Sequence, residues 1–138
     1  MFYLLNDKED NKQLEKQEIK NILVVEDEFV SSQLLCKILR KNYSVEAVEN
    51  AEDCFRKMEE KEFSVIFMDI NLGHGLSGLD AVKQIRNDSR YKVIPIIATT
   101  AFAMPGDKEE LIEAGCSDYL SKPFTSDKLF SLMKEFNL

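Results

Sequence analysis

The sequence predicts an α/β fold, a doubly wound open parallel sheet of five strands. Three features of the 138-residue chain predict it. Short apolar runs alternate with segments of helical period in five successive units from Lys20 to the end, the pattern of a parallel sheet covered by helices. The runs are continuously apolar, as in "NILVV" and "FSVIFM", which marks strands buried on both faces. Right-handed crossovers then leave few topologies, the doubly wound sheet foremost among them.

Each element has its own reason. "NILVV" is the first strand, and "SSQLLCKILRKN" places Leu34, Leu35, Ile38 and Leu39 at helical spacing. "YSVEAVE" reads as the second strand. In "NAEDCFRKMEE", Asn50 suits an N-cap and Ala51, Cys54, Phe55 and Met58 share a helical face. The third unit joins "FSVIFM" to "GLDAVKQIRND", a helix presenting Leu79, Val82 and Ile85. "KVIPIIAT" is the fourth strand, followed by "PGDKEELIEAG", with Pro105 near the helix start and Gly115 as its stop. "CSDYLSK" is a short fifth strand, and "SDKLFSLMKEF" a last helix with Leu129, Leu132, Met133 and Phe136 inward. Phe130 falls off that face and reads as a rim residue.

Composition excludes several classes. Eighteen basic against twenty-five acidic residues give a formal charge of −7, which argues against nucleic-acid or anionic-membrane binding. Three cysteines, Cys36, Cys54 and Cys116, form neither a disulfide framework nor a zinc pattern. They read as buried thiols in a reducing compartment, so a cytoplasmic location is expected. "MFYLL" followed by "NDKED" is no signal peptide, and no apolar run reaches membrane-spanning length. Residues 1–19, charged beyond Leu5, are expected to be an extension or linker, and residues 20–138 the domain.

In such sheets function collects at the carboxyl ends of the strands. Strand one ends in Glu26 and Asp27, strand three in Asp69, strand four in Thr99 and Thr100, and strand five in Lys122. Glu49 and Asn50, after strand two, read as capping residues. Two carboxylates ~4 Å apart repel by roughly 4 kcal/mol at an effective dielectric of about 20, and a third worsens it. Lys122 offsets only part, so a hard divalent cation, magnesium, completes the cluster. Its open positions would hold phosphoryl oxygens, with Lys122 and the Thr100 hydroxyl as partners. Asp69 becomes the nucleophile that forms an acyl phosphate.

The strand-end set "ILVVEDE", "VIFMDINL", "IIATTAF" and "DYLSKPF" resembles the receiver domain of two-component response regulators over about residues 20–137. The resemblance implies a flavodoxin-like, CheY-like sheet of order 2-1-3-4-5. It implies Asp69 as phospho-acceptor, Asp27 as a direct magnesium ligand, Glu26 acting mostly through water, and the Asn71 backbone carbonyl as a further ligand. It further implies Thr100 and Tyr119 as switch residues, Lys122 as the phosphoryl-binding ammonium, and a cis bond before Pro123. The loop "NLGHGLSG" is one residue longer than the commonest family form, which leaves the loop contacts open.

The implied function is a phospho-accepting receiver that catalyses only its own phosphorylation and dephosphorylation. The donor would be a histidine kinase or histidine phosphotransfer protein. A downstream protein would read the face of residues 105–136, and a weak homodimer is compatible with this. The chain is expected either to stand alone or to be the C-terminal receiver of a hybrid histidine kinase. Two alternatives are an aspartyl-phosphate phosphohydrolase and a phosphorylation-independent pseudo-receiver. The first usually carries a second aspartate where Asn71 stands, and the second usually has a broken acid cluster. His74, the sole histidine, sits in a glycine loop and reads as structural, and Glu28 as a solvated charge at a helix start.

Overall fold

The computed structural model describes residues 18–101 and 104–138, so most of the expected N-terminal extension lies outside the described residues. The elements in chain order are β1 (Asn21–Val25), α1 (Phe29–Leu39), β2 (Ser44–Val48), α2 (Ala51–Glu60), β3 (Val65–Asp69) and α3 (Gly78–Asn87). A 3-10 turn (Ser89–Tyr91), β4 (Ile96–Thr100), α4 (Asp107–Ala114), β5 (Asp118–Ser121) and α5 (Ser126–Lys134) complete them. All strand pairs are parallel and the sheet order is β2-β1-β3-β4-β5. Strand order reverses where β1 and β3 part toward opposite edges, which places their carboxyl ends at the topological switch point.

Strand alternation sorts the core into two layers. Leu23, Val25, Ile66, Met68, Ile96 and Ala98 face α2, α3 and α4, packing with Cys54, Met58, Val82 and Leu111. Ile22, Val24, Val65, Phe67 and Ile97 face the other way, against Leu35, Leu39, Leu129 and Met133 of α1 and α5. Fully burying each such side chain contributes about 1.5–3 kcal/mol. The three cysteines are buried and unpaired. Among the described residues no helix is long and apolar enough to cross a membrane.

Local chemistry sets the helix starts. Asn50, Ser77 and Thr125 each accept a hydrogen bond from the backbone N–H three residues on. Glu28 caps α1 through Val30 N and Ser31 N; it is exposed yet bonded, where the sequence suggested only a solvated charge. Gly115 ends α4 with φ 117°, a left-handed conformation suited to glycine.

Three expectations are corrected. α1 begins at Phe29 rather than Ser31, so Ser32, Leu35, Cys36 and Leu39 face inward and Leu34 is 56% exposed. β4 begins at Ile96, because Pro95 has no N–H for the ladder, and Val93 is 91% exposed. α4 begins at Asp107, after Gly106 at φ 96°, which leaves Pro105 outside the helix. Phe130 is half-buried against the α1–α5 layer.

Candidate functional site

Parallel strands of similar length end along one rim, so the residues at the carboxyl ends of β1, β3 and β5 meet without any special loop. Glu26 extends β1 by one bond, its N–H donating to Val48 O at 3.0 Å. Its carboxylate is only 4% exposed, and Asp69 at the end of β3 is also buried. Asp27, one residue on, is exposed. Oxygens of Glu26, Asp27 and Asp69 all lie within 4.8 Å of one another. The geometry therefore brings together the three carboxylates singled out in the sequence.

Lys122 enters from the end of β5, held by its backbone N–H donating to Thr100 O at 2.7 Å. Its peptide bond to Pro123 is cis. The ammonium donates to Glu26 Oε1 and stands 3.8 Å from Asp69 Oδ2. Burial pushes the Glu26 carboxyl up to about 7, helped by the neighbouring Asp69; Lys122 opposes the rise. An acid raised by desolvation among like charges marks a cluster with too little positive charge.

The loop after β3 supplies donors the sequence did not advertise. Asn71 N donates to Asp69 Oδ1 at 3.0 Å, and Gly73 N donates to Asp27 Oδ2 at 2.7 Å. A further constraint is Gly78, whose N–H donates to Ile70 O at 3.1 Å. A Cβ there would lie 1.9 Å from the Asp69 carbonyl oxygen. Glycine is required there for close approach, which no motif spacing could have indicated.

Thr99 and Thr100 are both buried at the end of β4. Thr100 borders a cavity of about 170 Å³ with Ile70, Asn71, Leu79 and Leu111. Tyr119 lies on β5 opposite Ala98; it is half-buried against the α2–α4 layer, with Lys108 Nζ 5.9 Å from its ring centre. A second cavity, about 310 Å³, opens beside Glu26 and Lys122 and is lined mainly by apolar residues, among them Leu34, Leu35, Pro123 and Phe124. Phe29 and Val30, at the start of α1, are exposed. His74 is exposed in the β3–α3 loop.

Three carboxylates on one rim, two of them buried, with one ammonium beside them and a hydroxyl-bearing strand end, form an anion-rich, cation-poor pocket suited to a hard metal and a phosphoryl group. A cluster of this kind stands where open doubly wound sheets bind their ligands, in the crevice at the switch point. A family model described as the response regulator receiver domain matches residues 22–134, and the chain belongs to that family. The polar-differentiation response regulator DivK of Brucella anthropi is 31% identical over 118 residues, covering 85% of this chain and 95% of that protein. The receiver domain of the sensor histidine kinase PA1611 of Pseudomonas aeruginosa, solved with a magnesium ion coordinated in the active-site cleft, superposes with a TM-score of 0.78 at 34% identity. That match covers 86% of this chain and 97% of the other. The chemotaxis protein CheY4 of Vibrio cholerae gives a TM-score of 0.80 at 28% identity, covering 86% and 98%. The chain is a receiver domain of a two-component system, a signalling module of CheY-like fold.

Proposed function

We propose that this receiver accepts a phosphoryl group on Asp69 from a histidine kinase or histidine phosphotransfer protein, with Mg²⁺ at the acid cluster. The observation that carries the reading is the convergence of Glu26, Asp27 and Asp69 within 4.8 Å beside Lys122. An all-oxygen donor set with surplus negative charge fits magnesium. Asp27, Asp69 and the Asn71 carbonyl would hold the ion, with Glu26 acting through water. When bound, the ion supplies charge neutralisation for the phosphoryl oxygens.

The chain's own residues do the rest. A carboxylate oxygen of Asp69 attacks phosphorus, the P–N bond to the donor imidazole breaks, and its electron pair stays on the imidazole. Asn71 N, already bonded to Asp69 Oδ1, leaves Oδ2 on the Lys122 side as the attacking atom. Lys122 and the Thr100 hydroxyl then bind phosphoryl oxygens. Phe29, Val30 and Leu34 are exposed apolar side chains of α1, the helix that starts two residues after Asp27, which supports α1 as the surface that seats the donor.

The experiment is intact-mass measurement after incubation with acetyl phosphate and magnesium. Wild type gains one phosphoryl group; Asp69→Asn, or wild type with a chelator, gains none. A gain in Asp69→Asn equal to wild type overturns the assignment.

A further inference from the structure

The loop from Ile70 to Ser77 offers its backbone to two different carboxylates through alternate residues. Asn71 N reaches Asp69 at 3.0 Å, and Gly73 N reaches Asp27 at 2.7 Å from far along the chain. The second bond is the unexpected one. Asp27 is exposed, and a carboxylate in water has no intrinsic reason to hold one rotamer. A short, charge-assisted hydrogen bond fixes it.

Gly73 has a second property that bears on the same atom. An ideal Cβ at that position would lie 2.7 Å from Asp27 Oδ2. A methyl there would meet this oxygen and force the Asp27 carboxylate out of its present position. The absent methyl and the present hydrogen bond both concern Oδ2, which leaves Oδ1 as the oxygen available to a cation.

We propose that Gly73 is a positioning residue for the metal site: its amide locks the Asp27 carboxylate so that Oδ1 is presented to Mg²⁺. This rests on the metal reading above and adds to it a specific role for the β3–α3 loop. Ligating carboxylates are commonly oriented by such outer partners, and losing one costs about 10–100-fold in metal affinity. Linkage makes the effect reciprocal: a loop that orders Asp27 for the ion is itself ordered by the ion.

The test combines magnesium chloride titration by calorimetry with ¹⁵N-resolved amide spectra. Gly73→Ala should bind Mg²⁺ about tenfold more weakly than wild type, whereas His74→Ala, which changes the same loop without touching Asp27, should bind as wild type does. In metal-free protein the Gly73 amide proton should move upfield and exchange faster in Asp27→Ala. It should stay near its wild-type position in Asp27→Asn, which keeps an acceptor oxygen. That spectral arm does not depend on how well Gly73→Ala folds. Wild-type affinity in Gly73→Ala, or a Gly73 amide indifferent to Asp27→Ala, overturns the inference and leaves the metal reading standing. Absence of Mg²⁺ binding in wild type itself overturns both.

Discussion

The Lys122 ammonium stands 3.8 Å from Asp69 Oδ2, near enough for attraction and too far for a hydrogen bond. It donates its hydrogen bond to Glu26 instead. Removing the ammonium would leave two buried carboxylates facing each other. Lys122→Ala should therefore lose about 2 kcal/mol of stability near pH 8 and much less near pH 5, where Glu26 takes up a proton. Urea melts at the two pH values measure this, and an equal loss at both would contradict the pairing.

A carboxyl held at about 7 against an ordinary value of 4.5 has a definite pH signature. Raised above its unfolded value, Glu26 contributes stability that is fully present below about pH 4.5 and is lost as pH climbs through about 7. Magnesium favours the ionised cluster, so its affinity should rise over the same interval, with proton release on binding. Calorimetry in buffers of different ionisation heat reads both. At tenfold excess over its Kd, Mg²⁺ should add about 1.4 kcal/mol, a shift of a few degrees in Tm. Asp27→Ala should remove most of that shift; a full shift in the variant would mean that the ion binds elsewhere.

Gly78→Ala should destabilise by about 2 kcal/mol or more. The added methyl meets the Asp69 carbonyl at 1.9 Å and the Ile70 Cα at 2.8 Å, both backbone atoms. Since the clash is with the residue that ends β3, phosphoryl uptake should slow as well. Chemical denaturation with an unchanged midpoint would show that the loop yields easily.

The outward signal is expected to run through Thr100 and Tyr119. Phosphorylation adds roughly −1.5 to −2 charge, toward which the Thr100 hydroxyl can move. The neighbouring cavity of about 170 Å³ gives the surrounding side chains room to follow. Thr100→Ala should still take up a phosphoryl group, more slowly, yet leave the surface of residues 105–136 unaltered. Hydrogen exchange with and without beryllofluoride tests this. Changes confined to residues 26–34 and 70–78 in wild type would rule the route out.

Much of this was legible in the sequence, for identifiable reasons. Short continuous apolar runs such as Val65–Met68, alternating with helical segments, read as strands with both faces covered, and strand ends align by geometry, so Glu26, Asp27, Asp69 and Lys122 could be placed on one rim. The face of α1 was less legible: Leu34 and Leu35 are equally apolar, and the helix starts just after the Glu28 cap, two residues before the apparent pattern, with Leu35 turned inward. Glutamate is not among the preferred capping types, so no pattern announced it. The β4 boundary moved for a similar reason, since Val93 and Ile94 read as strand until Pro95 is asked for its missing donor. The contacts of Gly73 and Gly78 depend on distances of a few ångströms between segments remote in sequence or packed backbone to backbone, and spacing carries no record of them.

The most direct test of the central claim is to locate the phosphoryl group itself. Acyl phosphates are reduced by borohydride, which converts an aspartyl phosphate to homoserine while ordinary carboxylates remain. After incubation with acetyl phosphate and magnesium, reduction and peptide mass spectrometry should find homoserine at position 69 alone. Homoserine at position 27, or a phosphoryl group retained on His74 with Asp69 intact, would contradict the account.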